Sequence, residues 1–191
     1  MKKHSNRIMF CLLMAVLLLG LTSLTYAAPA NKPGSALKKQ INLVIKDCSI
    51  TSKMTPEKKL KLLFTRIGNK KNYAYERAPF DFNPKTNGWA NSYALSMLKN
   101  KRGSCYHHAA AFAYLARKAT SLPVRICYGK AKIYSSSKSP HAWVEVKIDK
   151  KWYIYDTNAK AFAGKGTWGK LLRTSSTAKK LYFPEKTILL P

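Results

Sequence analysis

The chain has 191 residues and carries 35 Lys and Arg against 8 Asp and Glu, a formal charge of +27. That length holds one domain with a real core and hardly two. So few carboxylates argue against chemistry built on paired acids, and nothing sets Glu145 and Asp149 across a cleft as a glycosidase would need.

Lys2, Lys3 and Arg7 precede an apolar run from Ile8 to Leu21, and Thr25-Tyr26-Ala27 supplies a small-residue cleavage site. Residues 1–27 therefore read as a secretory signal peptide, and the mature protein is expected to be secreted or associated with the cell envelope. A retained anchor is the alternative, because the charge-free stretch reaches Ala30. The strongly apolar part, however, is short of the ~20 residues a span needs. Cys11 lies within the apolar run, too early for a lipid-attachment cysteine. Loss of Lys2, Lys3 and Arg7 would lower the formal charge from +27 to +24. The remaining basic residues are dispersed, as in Lys58, Lys59 and Lys61, or Lys147, Lys150 and Lys151, which fits a solvated basic shell better than one groove. For an exported chain this favours anionic envelope polymers as partners over nucleic acid. Cys48, Cys105 and Cys127 follow the signal. An odd number is consistent with one pair, Cys48 with Cys127, leaving Cys105 free, or with three separate thiols.

Residues 28–54 read as an N-terminal leader, flexible over 28–36 and a short helix or strand over 37–45. The main domain is expected over 55–191. It opens with a helix over 56–68, where Thr55 caps, Pro56 takes the first helical position, and Leu60, Leu62, Leu63 and Ile67 recur at helical spacing. Residues 69–88, with Pro79 and Pro84, form a long irregular segment of the kind that is often functional. Trp89, Tyr93, Ala94, Met97 and Leu98 then mark an amphipathic helix. A turn over 100–102 leads to Gly103 and Ser104, a close approach and a cap for a helix beginning at Cys105. On that helix Cys105, Ala109, Phe112 and Ala116 share one face, which the small and apolar residues bury. A thiol among the unpaired N–H groups at the positive end of a helix is favoured as thiolate, and the same N–H groups are placed to hold an oxyanion. The competing reading is a buried structural cysteine.

Beyond Ala119 the period changes. Residues 124–133 alternate as a strand, 134–140 form a serine-rich loop, and 141–148 with 151–156 form a hairpin about Asp149 and Lys150. Gly164, Gly166 and Gly169 mark turns, and Leu181-Tyr182-Phe183 reads as a last strand. A cysteine nucleophile needs a base and an acceptor that orients the base. With a two-residue turn, Ile148 pairs with Lys151, Trp143 stands opposite Asp156, and His141 opposite Asn158. His141 and Asp156 are then diagonal neighbours on one face, ~7–8 Å apart at the backbone. A different register would make Asn158 the orienting residue instead. His107 and His108 are adjacent on a helix, so their side chains diverge by about 100°, and no carboxylate or second cysteine completes a ligand set. No metal and no cofactor is expected.

Three stretches together, Gly103-Ser104-Cys105 opening a helix, His141-Ala142-Trp143-Val144-Glu145-Val146, and Trp152-Tyr153-Ile154-Tyr155-Asp156, resemble the transglutaminase-like family from about Thr55 to Asp156. The resemblance implies an α+β, papain-like core in which N-terminal helices pack on an antiparallel β-sheet. It makes Cys105 the nucleophile, His141 the general base and acid, and Asp156 the residue that orients His141. Tyr106 stands where animal members often have tryptophan, and their β-domains and calcium sites have no room here. The upstream side chain that helps hold the oxyanion has no clear counterpart; Trp89 is a candidate for it or for core packing. The expected function is an exported thiol acyl-transfer enzyme or peptidase acting on protein or peptide substrates, including the peptides of the cell wall. The rival is a catalytically silent, basic envelope-binding module on the same scaffold.

Overall fold

A computed structural model describes residues 32–77, 88–163, 172–173, 178 and 180–191. The expected signal peptide, the start of the leader, Pro79, Pro84 and the three turn glycines lie outside the described residues.

Helix α1, Ser35–Asp47, buries Leu37, Ile41 and Val44 on one stripe. The stripe packs on the two helices that follow Gly88. Much of the expected leader thus belongs to the core, because three apolar side chains at helical spacing are covered only by docking the helix. Helix α2, Pro56–Ile67, starts as expected: Pro56 occupies its first turn and the Lys58 N–H donates to Thr55 Oγ1 at 3.3 Å. Leu60, Leu63, Phe64 and Ile67 are buried. After β1, Ala74–Tyr75, helix α3 runs over Trp89–Asn100 and ends at Lys101, whose φ of 60° turns the chain into β2, Arg102–Gly103. β1 and β2 pair in parallel.

Helix α4, Cys105–Thr120, begins at the expected residue. Its burial differs from expectation, since every residue over 108–116 is buried rather than one face. The helix lies between α1, α2 and α3 on one side and the sheet on the other. Five alanines, at 109, 110, 111, 113 and 116, let so many neighbours approach, and a helix apolar on all sides is a core helix.

The sheet contains β3 (Val124–Ala131), β4 (Ser139–Ile148), β5 (Lys151–Tyr155), β6 (Leu172–Arg173) and β7 (Tyr182–Leu189), in the order β6-β5-β4-β3-β7. All neighbours are antiparallel. A short helix, α5, Thr157–Ala163, follows β5. The hairpin register is the expected one: Ile148 pairs with Lys151, and Val144 with Tyr155. Asp149 and Lys150 both have positive φ, 46° and 65°, as a two-residue primed turn demands. β7 extends well past Phe183 and pairs with the free side of β3. A Cβ on Gly129 would sit 2.3 Å from the Phe183 carbonyl oxygen, so that pairing requires glycine at the bulge.

Alternate residues divide the sheet into two faces. Ile126, Tyr128, Ala142, Val144 and Tyr155 pack with the helices, whereas Cys127, Trp143, Ile154 and Tyr182 form a second cluster. Cys48 packs on the first cluster and Cys127 lies in the second. The Cys48–Cys127 pair is not made, and Cys48, Cys105 and Cys127 are all free thiols.

Candidate active site

Cys105 is the first residue of α4 and is half-buried. Around it the chain is tightly specified. The Ser104 N–H donates to His107 Nδ1 at 3.2 Å, and Ser104 Oγ lies 3.0 Å from the same nitrogen. His107 Nδ1 is thereby an acceptor, and burial holds its pKa below the ordinary histidine value against the pull of Glu76. The ring also lies on Tyr93, with centroids 4.2 Å apart. At Gly103 a Cβ would come within 2.5 Å of the His107 side chain. The Gly-Ser-Cys sequence therefore sets where the helix starts, and an open groove of about 600 Å³ walled by Glu76, Arg102 and His107 adjoins that start. N–H groups of a first turn have no acceptor within their own helix, which leaves this end of α4 suited to an anion.

His141, near the start of β4, and Asp156, directly after β5, are 2% and 5% exposed. The His141 Nε2–H donates to Asp156 Oδ2 at 2.7 Å. The Cys105 side chain lies beside the same imidazole, close enough to favour its charged form. Asp156 Oδ1 accepts the Ala159 N–H at 2.8 Å, and Oδ2 also accepts the Tyr182 hydroxyl at 3.0 Å. Burial opposes charge on His141, but Asp156 and then Cys105 outweigh it and raise the imidazole pKa above its ordinary value. Burial likewise opposes the Asp156 carboxylate. His141, Ala159 and Tyr182 overcome that and hold the carboxyl below its usual range.

The three residues singled out from the sequence thus lie together, with His141 hydrogen-bonded to Asp156 and Cys105 beside the imidazole. Asn158 does not orient His141; its Oδ1 accepts the Tyr134 hydroxyl at 2.6 Å. His108 is completely buried beside His141 and Asp156. The Ala74 backbone faces its ring without closing a hydrogen bond of normal geometry to either nitrogen, and burial lowers its pKa to about 4. Trp89 is 5% exposed and packs edge-on against Tyr93, Tyr106 and Tyr128, a core position. Glu145 is committed to Arg125, whose Nε donates to Oε2 at 2.7 Å, while Asp149 sits in the hairpin turn.

Two features escaped the sequence reading. Helix α5 has a signal, since Asp156 caps it through Ala159 and the Lys160 N–H donates to the Asp156 carbonyl at 3.2 Å. Tyr182 has none: it reaches Asp156 from a strand 26 residues further on.

A central helix that begins at a cysteine, packed on an antiparallel sheet that carries a histidine and an aspartate, is a papain-like cysteine-enzyme architecture. Residues 49–157, more than half of the chain, match the family model of the transglutaminase-like superfamily, and the chain belongs to that superfamily. Among solved structures it is similar to a candidate cysteine protease from Cytophaga hutchinsonii, at 18% identity and a TM-score of 0.48, covering 83% of this chain and 50% of that one. It is also similar to the arylamine N-acetyltransferase of Salmonella typhimurium, at 18% identity and a TM-score of 0.46, covering 75% and 50%. A third is Legionella pneumophila LapG, at 17% identity and a TM-score of 0.48, covering 85% and 90%. The chain thus spans half the length of the first two. No curated protein matches it in sequence.

Proposed function

We propose that this protein is an exported thiol acyl-transfer enzyme that acts on amide or peptide bonds, with Cys105 as nucleophile, His141 as base and acid, and Asp156 as the residue orienting His141. The observation that carries the reading is the buried His141–Asp156 hydrogen bond with the half-buried Cys105 sulfur beside the imidazole.

In the first half-reaction His141 takes the Cys105 proton and the sulfur attacks the amide carbonyl carbon. The oxyanion forms beside the N–H groups that open α4. As the C–N bond breaks, His141 hands its proton to the departing amine, and a thioester to Cys105 remains. In the second half, His141 deprotonates an incoming water or amine, which attacks the thioester. The carbon–sulfur bond breaks and the proton returns to sulfur. Water gives hydrolysis and an amine gives transfer. The two differ only in which nucleophile reaches the thioester, so this geometry serves both. The signal-like residues 1–27 and the high basic charge support action in the cell envelope, with anionic polymers as the surroundings and peptide segments of the wall or extracellular proteins as substrates.

The test is incubation of the protein lacking residues 1–27, and of Cys105→Ala, with a dansylated amine, casein and isolated cell wall. Incorporation of label, or release of fragments, that is lost in Cys105→Ala supports the reading. Neither with any substrate favours the silent envelope-binding module. Iodoacetamide near neutral pH separates the two directly: an enzyme shows fast labelling of Cys105 that is lost in His141→Ala, whereas a module shows slow labelling indifferent to that change.

A further inference from the structure

Tyr75, Tyr134 and Phe162 are 43%, 45% and 61% exposed, a large aromatic area left in water. They come from β1, from the loop before β4 and from α5, yet they touch. Tyr75 meets Phe162 edge-on with centroids 6.0 Å apart, and Phe162 meets Tyr134 at 4.9 Å. Tyr134 in turn stands edge-on to His141 at 5.8 Å. The patch is therefore continuous with the candidate base.

Each ring is held by the same contacts that build the site. Tyr75 lies between the Ala74 and Glu76 N–H groups, which donate to the Lys101 and Gly103 carbonyls just ahead of Cys105. Tyr134 is tied down by Asn158, and Phe162 rides on the helix that Asp156 caps. Exposed, touching aromatics fixed beside a reactive centre mark a binding surface. The rings meet at interplanar angles of 85° and 66°, so they present faces and edges together and offer no flat plate for a sugar ring. A patch of ring faces and edges suits an apolar side chain.

We propose that Tyr75, Tyr134 and Phe162 form a specificity subsite that takes an aromatic or large aliphatic side chain next to the amide attacked by Cys105. This rests on the reading of Cys105 and His141 as an amide-attacking pair.

The experiment compares alkylation of Cys105 by chloroacetamide and by N-benzyl chloroacetamide, in which sulfur displaces chloride and a thioether forms. Peptide mapping identifies the modified thiol, and each rate is divided by that reagent's rate with glutathione. The benzyl reagent should be favoured by about tenfold, the gain expected from partly burying a phenyl group. The preference should fall to about one in Phe162→Ser and in Tyr75→Ser and persist in Phe162→Tyr. Phe162→Ser removes mainly exposed area and Tyr75→Ser somewhat more buried than exposed area, so melting curves check that both fold. A ratio near one in the unaltered protein, or a preference that survives both serine substitutions, overturns the proposal. Failure of the catalytic reading looks different: plain chloroacetamide would then react no faster with Cys105 than with glutathione, while the ratio still reports on the aromatic patch.

Discussion

His141 and Tyr182 donate to the same oxygen, Asp156 Oδ2, at 2.7 and 3.0 Å. Tyr182 lies on β7, beyond residues 49–157, so the carboxylate behind the imidazole is held partly from outside the stretch that matches the family. Its ring also packs 5.0 Å from Trp143, which stacks on His141. Tyr182→Phe keeps the ring and removes one hydrogen bond to a buried carboxylate, a loss of about 1.5–3 kcal/mol in urea denaturation. Because that bond helps keep the Asp156 carboxyl low, its loss should move the acid limb of Cys105 alkylation to higher pH. An unmoved limb would reduce Tyr182 to packing.

The buried pair makes stability depend on pH in two directions. The folded pKa of His141 is raised above its ordinary 6.5, so its contribution is complete below that value and is lost as pH rises through the raised one. The Asp156 pKa is lowered below its ordinary 3.8, so its contribution is complete above that value and is lost as pH falls through the lowered one. The two overlap in mildly acidic solution. There Asp156→Asn, which leaves His141 buried without a counter-charge, should cost about 3–5 kcal/mol. Denaturation curves at pH 5 and in strongly alkaline buffer should show the deficit shrinking at the higher pH. A deficit that does not change with pH would mean that the pair is not charged.

Elements whose signals are local were legible in the sequence. Thr55-Pro56 and Gly103-Ser104 announce the starts of α2 and α4, and the Asp149-Lys150 turn alone predicts the register that puts His141 beside Asp156. The rest depends on contacts across the fold. Leu37, Ile41 and Val44 stand among lysines in a segment with little apolar area, and only α3 and α4 make that stripe a core face. Seven residues of α5 are too few to stand without the Asp156 cap and its neighbours. The pairing of β7 with β3 joins residues about half a hundred positions apart, as in Ala131 with Tyr182, and is decided by which sheet edge remains open.

His108 makes a separate acid-sensitive element. Its folded pKa of about 4 lies below the ordinary 6.5, so below pH 6.5 the unfolded chain binds a proton that the folded chain refuses. Stability should therefore decline as pH falls from 6.5 to 4, by about 3 kcal/mol for this side chain. His108→Leu, similar in size and without a titratable group, should lose less stability than the unaltered protein between pH 7 and 4.5 in urea denaturation. Equal losses would show that His108 takes up its proton in the fold.

The hairpin turn offers the complementary gain. Asp149 and Lys150 are exposed and both occupy the left-handed region, at φ 46° and 65°, where a side chain costs about 1–2 kcal/mol per residue. Glycine removes that cost and returns part of it as extra freedom in the unfolded chain. Lys150→Gly should accordingly stabilise the protein by about 1 kcal/mol, read from the urea midpoint. His141 and Asp156 lie at the opposite end of the same two strands, and the native pairing of Ile148 with Lys151 already requires this turn, so the substitution strengthens the register without altering it. Cys105 alkylation should then proceed at the unaltered rate. A destabilised variant would show that the Lys150 side chain contributes more at the turn than its backbone strain costs.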